Sequence, residues 1–150
     1  MNPQDIVLFF IDSLQHHDLL KVVTVNNKTD TIRKLNADWL KEMDFLEAVN
    51  INKPAYKGTI VMDSMRTGDT LVYKLTCSDN KLNVKYASMH YFGDRLMHMT
   101  ISSSGSNFLF STAKEIYFNP LKGYIIKGFQ NLDMLSEKPV EYRICVNKIP

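Results

Sequence analysis

The sequence has few cysteines, and it has no basic leader in front of its first apolar run. Its 150 residues include two cysteines, Cys77 and Cys145, and neither belongs to a CxxC motif. Free thiols in a reducing compartment are the simplest interpretation, and a disulfide between neighbouring strands is the alternative. The first apolar run, Ile6 to Ile11, is too short for a secretory leader. We therefore expect a cytoplasmic protein, with a mature secreted domain as the alternative.

Long apolar runs and a one-sided charge are also missing. No segment approaches the roughly 20 apolar residues that a membrane span needs. Lys and Arg number 18 and Asp and Glu number 16, so the net charge is +2. The basic residues are spread singly, and the densest cluster is Arg33-Lys34. A nucleic-acid-binding protein concentrates them on one face, so we expect neither a membrane nor a nucleic-acid partner.

Catalytic motifs are absent as well. The chain has no GxSxG, Walker, GxGxxG or HExxH pattern. The serine-rich segment 102–107 has no nearby base, and we interpret it as a flexible loop. The acidic residues Asp63, Asp69, Asp79 and Asp94 lie in or beside predicted turns, where aspartate has a backbone role. The sequence therefore favours a non-enzymatic protein with no cofactor, no metal and no catalytic residue.

Two histidines, His90 and His98, flank the Gly93-Asp94 turn. A three-residue loop would place them directly opposite each other, with Cβ atoms about 4.5–5.5 Å apart, close enough to share a metal ion. A two-residue loop would place them on opposite faces of the sheet. No third or fourth ligand is placed by spacing, so we expect ordinary strand histidines and no zinc site.

Helical spacing of apolar residues dominates before residue 58. Asn2 and Pro3 are a favourable cap and first residue for a helix whose stripe includes Ile6, Phe10 and Leu14. A short strand is possible over 19–25, before a turn at Asn26-Asn27. A second helix is predicted from Thr29 or Asp30 to Val49-Asn50. Its apolar stripe is Ile32, Leu35, Trp39, Met43 and Leu46.

Alternating apolar residues and turn signals follow residue 58, which is typical of consecutive antiparallel hairpins. The predicted strands are 59–65, 70–77, 81–91, 95–102, 108–110 with 115–118 (one bulged strand or two short ones), 124–129 and 140–147. We expect an α+β fold with one domain, 1–150. Two N-terminal helices in residues 1–50 pack on a curved antiparallel meander of six to seven strands in residues 58–148.

Residues 2–14 and the following His17-Asp18-Leu19-Leu20 resemble the first helix of NTF2-like, cystatin-related cone proteins. The shared features are an early proline, an acidic residue, paired aromatics and a closing Asp-Leu. The resemblance implies helices seated in a curved sheet, with a cone between them that can hold a small ligand. The later sequence departs from that family, because it has too many strands and no catalytic acid or histidine pair. No functional residue is carried over.

The second half has more aromatic residues than one face of a sheet must bury. Tyrosines among Arg and Lys are typical of protein-recognition surfaces. The leading hypothesis is a domain that neutralises or escorts one protein partner, as an immunity protein, an inhibitor or a secretion chaperone does. The protein would be a monomer or homodimer. Its predicted partner-binding residues are Tyr91, Phe92, Arg95 and Tyr117.

The alternative is a cone-type pocket that binds or acts on a small apolar ligand. Phe10, Trp39, Met97 and Met99 would line it. His98 or Asp63 would be the acid–base group, with a shifted pKa. A structural subunit of a larger assembly is a third possibility.

Overall fold

The computed structural model describes residues 2–107, 109–132 and 139–150. These residues form a nine-stranded antiparallel sheet with short helical segments over one face. Helix α1 is Pro3–Leu14 and helix α2 is Trp39–Glu42, followed by 3-10 turns at Asp44–Val49 and Pro54–Tyr56. The strands are β1 Leu19–Val25, β2 Lys28–Lys34, β3 Ile60–Thr67, β4 Thr70–Cys77, β5 Val84–Phe92, β6 Arg95–Ser106, β7 Phe110–Asn119, β8 Gly123–Leu132 and β9 Val140–Lys148.

The strand order is β2-β1-β9-β8-β7-β6-β5-β4-β3. Strands β3 to β9 form a continuous meander in which each strand pairs with the next one along the chain. The N-terminal hairpin β1–β2 then pairs with the last strand, with Val22 opposite Cys145. The first and last strands of the chain therefore meet inside one sheet.

The two faces of the sheet differ in what covers them. Every second side chain of a strand points to the same face of the sheet. On one face these side chains pack under α1 and the segment 37–56, as Ile116 and Phe118 of β7 do. We call this side the covered face. The other side, which carries Glu115, Tyr117, Lys127 and Arg143, is the open face. Residues of the core with no exposed surface are Val7, Leu14, Leu19, Trp39, Val49, Leu75, Val84, Ala87, Met89, Met99, Ile101, Ile116, Phe118 and Val146.

Glu42 attaches helix α2 to the sheet. Its carboxylate accepts hydrogen bonds from Lys21 of β1 and Lys34 of β2, and its backbone carbonyl accepts one from the Tyr124 hydroxyl at 2.7 Å. Burial alone would raise the pKa of Glu42, but the Lys34 hydrogen bond and the two lysine charges keep that pKa below its usual value. Burial and the Glu42 charge raise the pKa of Tyr124. This network fixes α2 over β1, β2 and β8.

The predicted second helix is wrong, because most of its first half is strand. Strand β2 pairs with β1 through the turn Asn26-Asn27, whose φ angles are +46° and +71°. Positive φ at both central residues is the requirement of the type I′ turn that closes two-residue hairpins. Leu35 is 70% exposed, so the proposed stripe is not buried as one face. Within the range of the predicted second helix, only the four residues of α2 and the 3-10 turn after it are helical.

The expected α+β arrangement of two helices on six to seven strands is therefore wrong. The described fold is mostly sheet, with nine antiparallel strands and one N-terminal helix of 12 residues. The predicted loop over 102–107 is also wrong, since β6 continues to Ser106 and pairs with β7 along that stretch. Strand β4 has the predicted bounds, 70–77. Within the described ranges, no helix has the length and apolar character needed to cross a bilayer.

Candidate functional site: a concave groove on the open face

A groove of about 760 Å³ lies on the open face. It is shared by five adjacent strands, β6, β7, β8, β9 and β1. Neighbouring strands are about 4.8 Å apart, so these strands would span about 19 Å if flat. A single groove over that width requires the sheet to curve toward its open side. The lining residues are Thr24, Asn26, Asn27, Ser102, Ser103, Ser104, Ala113, Lys114, Glu115, Lys127, Gly128, Phe129, Glu141, Tyr142 and Arg143.

A row of charges crosses the floor of this groove. Glu115 of β7 is directly opposite Lys127 of β8, and Lys127 is directly opposite Arg143 of β9. Glu141 lies two residues before Arg143 on the same face, and all four side chains are exposed. Among the described residues, the ion pairs are those of Glu42, Asp18 and Glu47, so none of these four charges is paired there. The groove therefore offers two adjacent cations with a carboxylate on either side.

An apolar depression of about 320 Å³ adjoins the groove. Tyr117 and Ile125, opposite each other on β7 and β8, line it together with Thr100. Glu115 and Lys127 line both the depression and the groove. The two features are thus one continuous concave surface, with an apolar part beside a charged part.

Three stacked rings continue this surface toward β5. The rings of His90 and His98 have centroids 4.2 Å apart and planes 21° apart, and His98 stacks in turn on Tyr117 at 5.3 Å and 25°. The turn between the strands has two residues, because Phe92 is opposite Arg95. The expectation that such a turn separates the two histidines is wrong. Met97 forms a β-bulge, because it has no partner on β5. This extra residue brings His98 directly opposite His90.

The predicted partner-binding residues divide between the two faces. Tyr117 is 38% exposed on the open face, and Phe92 is 58% exposed at the end of β5 on the same side. Arg95 is directly opposite Phe92, so it shares that face. Tyr91 lies on the covered face, where its ring meets Tyr73 edge to face at 5.8 Å. Burial, with Tyr73 as a smaller cause, raises the pKa of Tyr91.

Of the six residues proposed for a ligand pocket, three lie in or against the covered core and three lie outside it. Trp39 and Met99 have no exposed surface, and Phe10 packs against the same core. Met97 is the exposed bulge residue. His98 lies on the open face at β6. Asp63 occupies the same face at the edge strand β3, with β4 and β5 between the two.

The described part of the chain contains neither a disulfide nor a cluster of metal-ligating side chains. Cys77 and Cys145 are free, and they lie on β4 and β9 with four strands between them. The alternative of a disulfide on neighbouring strands is thus not realised. No group of three or more His, Cys, Asp or Glu side chains in residues 2–107, 109–132 and 139–150 is placed to hold a metal ion.

Comparison of the chain with protein-family models, with curated proteins and with solved structures finds no match. The resemblance of the first 20 residues to NTF2-like cone proteins therefore stays a prediction.

Sequence reasoning missed the charged row of the groove. Alternation along 140–147 already separated Glu141 and Arg143 from the buried residues of that strand. The signal at Lys127 is weaker, since Ile126 before it is buried but Gly128 after it is only half-buried. The sequence could not show that Glu115, Lys127 and Arg143 are in line, because this depends on the register of three strands.

The ring stack predicts a pH-dependent stability. Burial, and then the neighbouring His90, lower the pKa of His98. An unfolded chain has its histidines near pKa 6.5, so between the two values the unfolded state binds more protons. The free energy of unfolding should therefore fall as the pH falls below about 6.5. Urea denaturation at about pH 7.5 and pH 5 should show a larger loss in wild type than in His98→Gln.

The matched control is His17→Gln. The ring of His17 is exposed and stacks on no other ring among the described residues. This variant should lose as much stability on acidification as wild type. An equal loss in wild type and His98→Gln would contradict the prediction.

Proposed function

We propose that the protein is a non-enzymatic binding domain that holds one protein partner on its open face and thereby blocks or escorts it. The observation that carries this proposal is the concave surface shared by five strands, with apolar, aromatic and charged parts side by side. A protein-binding surface has this anatomy, in which aromatic anchors lie beside polar groups. Five strands, which would span about 19 Å if flat, are also wide enough for a segment of another chain.

Tyr117 and Phe92 are the proposed anchors. Both are exposed aromatic side chains on the open face, and Tyr117 is held in place by the His98 ring stacked on it. An anchor that is already ordered loses little conformational freedom on binding. Truncating a true anchor costs about 2 kcal/mol or more of binding free energy.

The test is affinity capture from a lysate of the native host with the tagged protein, read by mass spectrometry, with wild type and two matched variants. Tyr117→Ala with Phe92→Ala removes aromatic surface from the open face. The control, Phe9→Ala, removes an 80% exposed aromatic ring from α1 on the other side of the sheet. Circular dichroism shows that each variant is folded.

The expected result is one partner, recovered in stoichiometric amount by wild type and Phe9→Ala and lost by the double variant. Recovery of no partner would refute the proposal, and binding that survives the double variant would place the partner on another surface. A small apolar molecule that copurifies with wild type in place of a protein would favour the pocket alternative.

A further inference from the structure

One pair of residues in the charged row of the groove destabilises the sheet. Lys127 and Arg143 are directly opposite each other on adjacent strands, so their Cβ atoms are about 4.5–5.5 Å apart. Like charges in that position destabilise a sheet. Glu115, directly opposite Lys127 on β7, offsets part of this repulsion, but in the described part of the chain no carboxylate forms an ion pair with Lys127 or Arg143. An anion placed between the two side chains would relieve it.

From this we infer that the groove binds an extended, acidic segment of the partner protein, with a carboxylate of the segment between Lys127 and Arg143. The inference rests on the proposed function and specifies the chemistry of the partner. Arg143 can hold a carboxylate through two parallel hydrogen bonds, and Lys127 adds a second charge-assisted bond. About six extended residues would cross the roughly 19 Å that five flat strands span.

The apolar depression supplies the second part of the specificity. It begins at Lys127 and continues to Ile125 and Tyr117. A segment whose carboxylate lies between the two cations would place a neighbouring side chain over these residues. An apolar or aromatic side chain fits there, because Ile125 and the ring of Tyr117 offer no charge. The expected ligand motif is an acidic residue close to an apolar one.

The flanking carboxylates argue against a nucleic acid in the same groove. Glu115 lies directly beside Lys127, and Glu141 lies near Arg143 on the same face. A nucleic acid carries a negative charge at every nucleotide, so its backbone would meet these carboxylates. A peptide can present one carboxylate to the two cations and neutral or basic groups to Glu115 and Glu141.

The test uses a phage-displayed library of random peptides selected on the whole protein. Peptides enriched by wild type are synthesised, and their affinities are measured by fluorescence anisotropy. The decisive variant is Lys127→Glu with Arg143→Glu. Its control is Lys57→Glu with Lys81→Glu, which makes the same change in net charge at exposed positions outside the open face.

The expected result is enrichment of peptides with an acidic residue near an apolar one. The groove variant should weaken their binding by about tenfold or more, and the control should bind as wild type does. Replacing the acidic residues of a peptide by Asn or Gln should cause a similar loss. Binding to wild type should also weaken as salt is raised.

Three outcomes of the peptide experiment would overturn the inference. They are a selection that enriches no acidic peptide, equal binding by the groove variant and its control, and displacement of the peptide by a single-stranded oligonucleotide at equal charge concentration. The proposed function fails separately. A captured partner could be lost by the Tyr117 and Phe92 variant but retained by the groove variant. In that case the open face would still be the binding surface, but the inference that the partner binds through an acidic segment would fail.

Discussion

Replacing Gly123 by alanine should lower the free energy of unfolding by about 3–5 kcal/mol. Gly123 has φ +136°, a region that residues with a side chain rarely adopt. It begins β8 between β7 and β9, where the backbones approach closely. A Cβ there would overlap the carbonyl oxygen of Val146 and lie 3.0 Å from its carbonyl carbon. Backbone strain and the displacement of β9 therefore add together.

Gly68→Ala separates these two contributions. Gly68 also has a positive φ, +61°, but a Cβ on it would meet no atom within 4 Å. Gly68→Ala should therefore lower the free energy of unfolding through backbone strain alone, by about 1–2 kcal/mol. Urea denaturation followed by circular dichroism measures both variants. Equal unfolding midpoints for the two would show that the approach of β8 and β9 at Gly123 is looser than the structure has it.

The strands of the second half were predictable because two independent signals agree there. In β4, Leu71, Tyr73, Leu75 and Cys77 share one face, three of the four residues on the other face are polar, and turn residues bound the strand on both sides. In β9, Val140, Tyr142 and Ile144 alternate with Glu141 and Arg143. Local pattern and tertiary packing require the same conformation in these segments, so the sequence alone is enough to predict that they are strands.

The first half was not predictable to the same degree, because its signals conflict. Ile32, Trp39 and Met43 recur at helical spacing, yet Asn26-Asn27 favours a hairpin. The hairpin forms because β1 also pairs with β9 at the far end of the chain. That pairing involves more than a hundred intervening residues, and no local window contains it.

The candidate site depends even more on long-range register. The His90–His98 pair required both a turn length and the bulge at Met97, and the sequence offered no separate signal for the bulge. The serine-rich end of β6 has weak strand preference. It is a strand because β7 pairs with it, with Ser103 opposite Lys114. The wall of the groove formed by Ser102 and Ser104 therefore appears only in the folded sheet.

Trp39→Ala should lower the free energy of unfolding by about 3–5 kcal/mol, because it leaves a large cavity in the core. The side chain of Trp39 has no exposed surface, and its indole nitrogen donates to the His17 carbonyl at 3.2 Å. Its backbone amide donates to the Gln15 side chain at 2.6 Å, which joins α2 to the end of α1. Trp39→Phe keeps most of the apolar volume, leaves a smaller cavity and loses the indole hydrogen bond, so a loss of about 1–3 kcal/mol is expected.

The same residue distinguishes a solid core from a ligand-binding cone. Trp39 is the single tryptophan of the chain, so its fluorescence reports on this position alone. A core residue should emit at short wavelength and be quenched only weakly by acrylamide until the protein unfolds. Strong quenching in the native protein, with little loss of stability in Trp39→Ala, would mean that an open cavity reaches Trp39. Trp39 belongs to the same buried core cluster as Val49, which predicts the opposite result: weak quenching and a large loss of stability in Trp39→Ala.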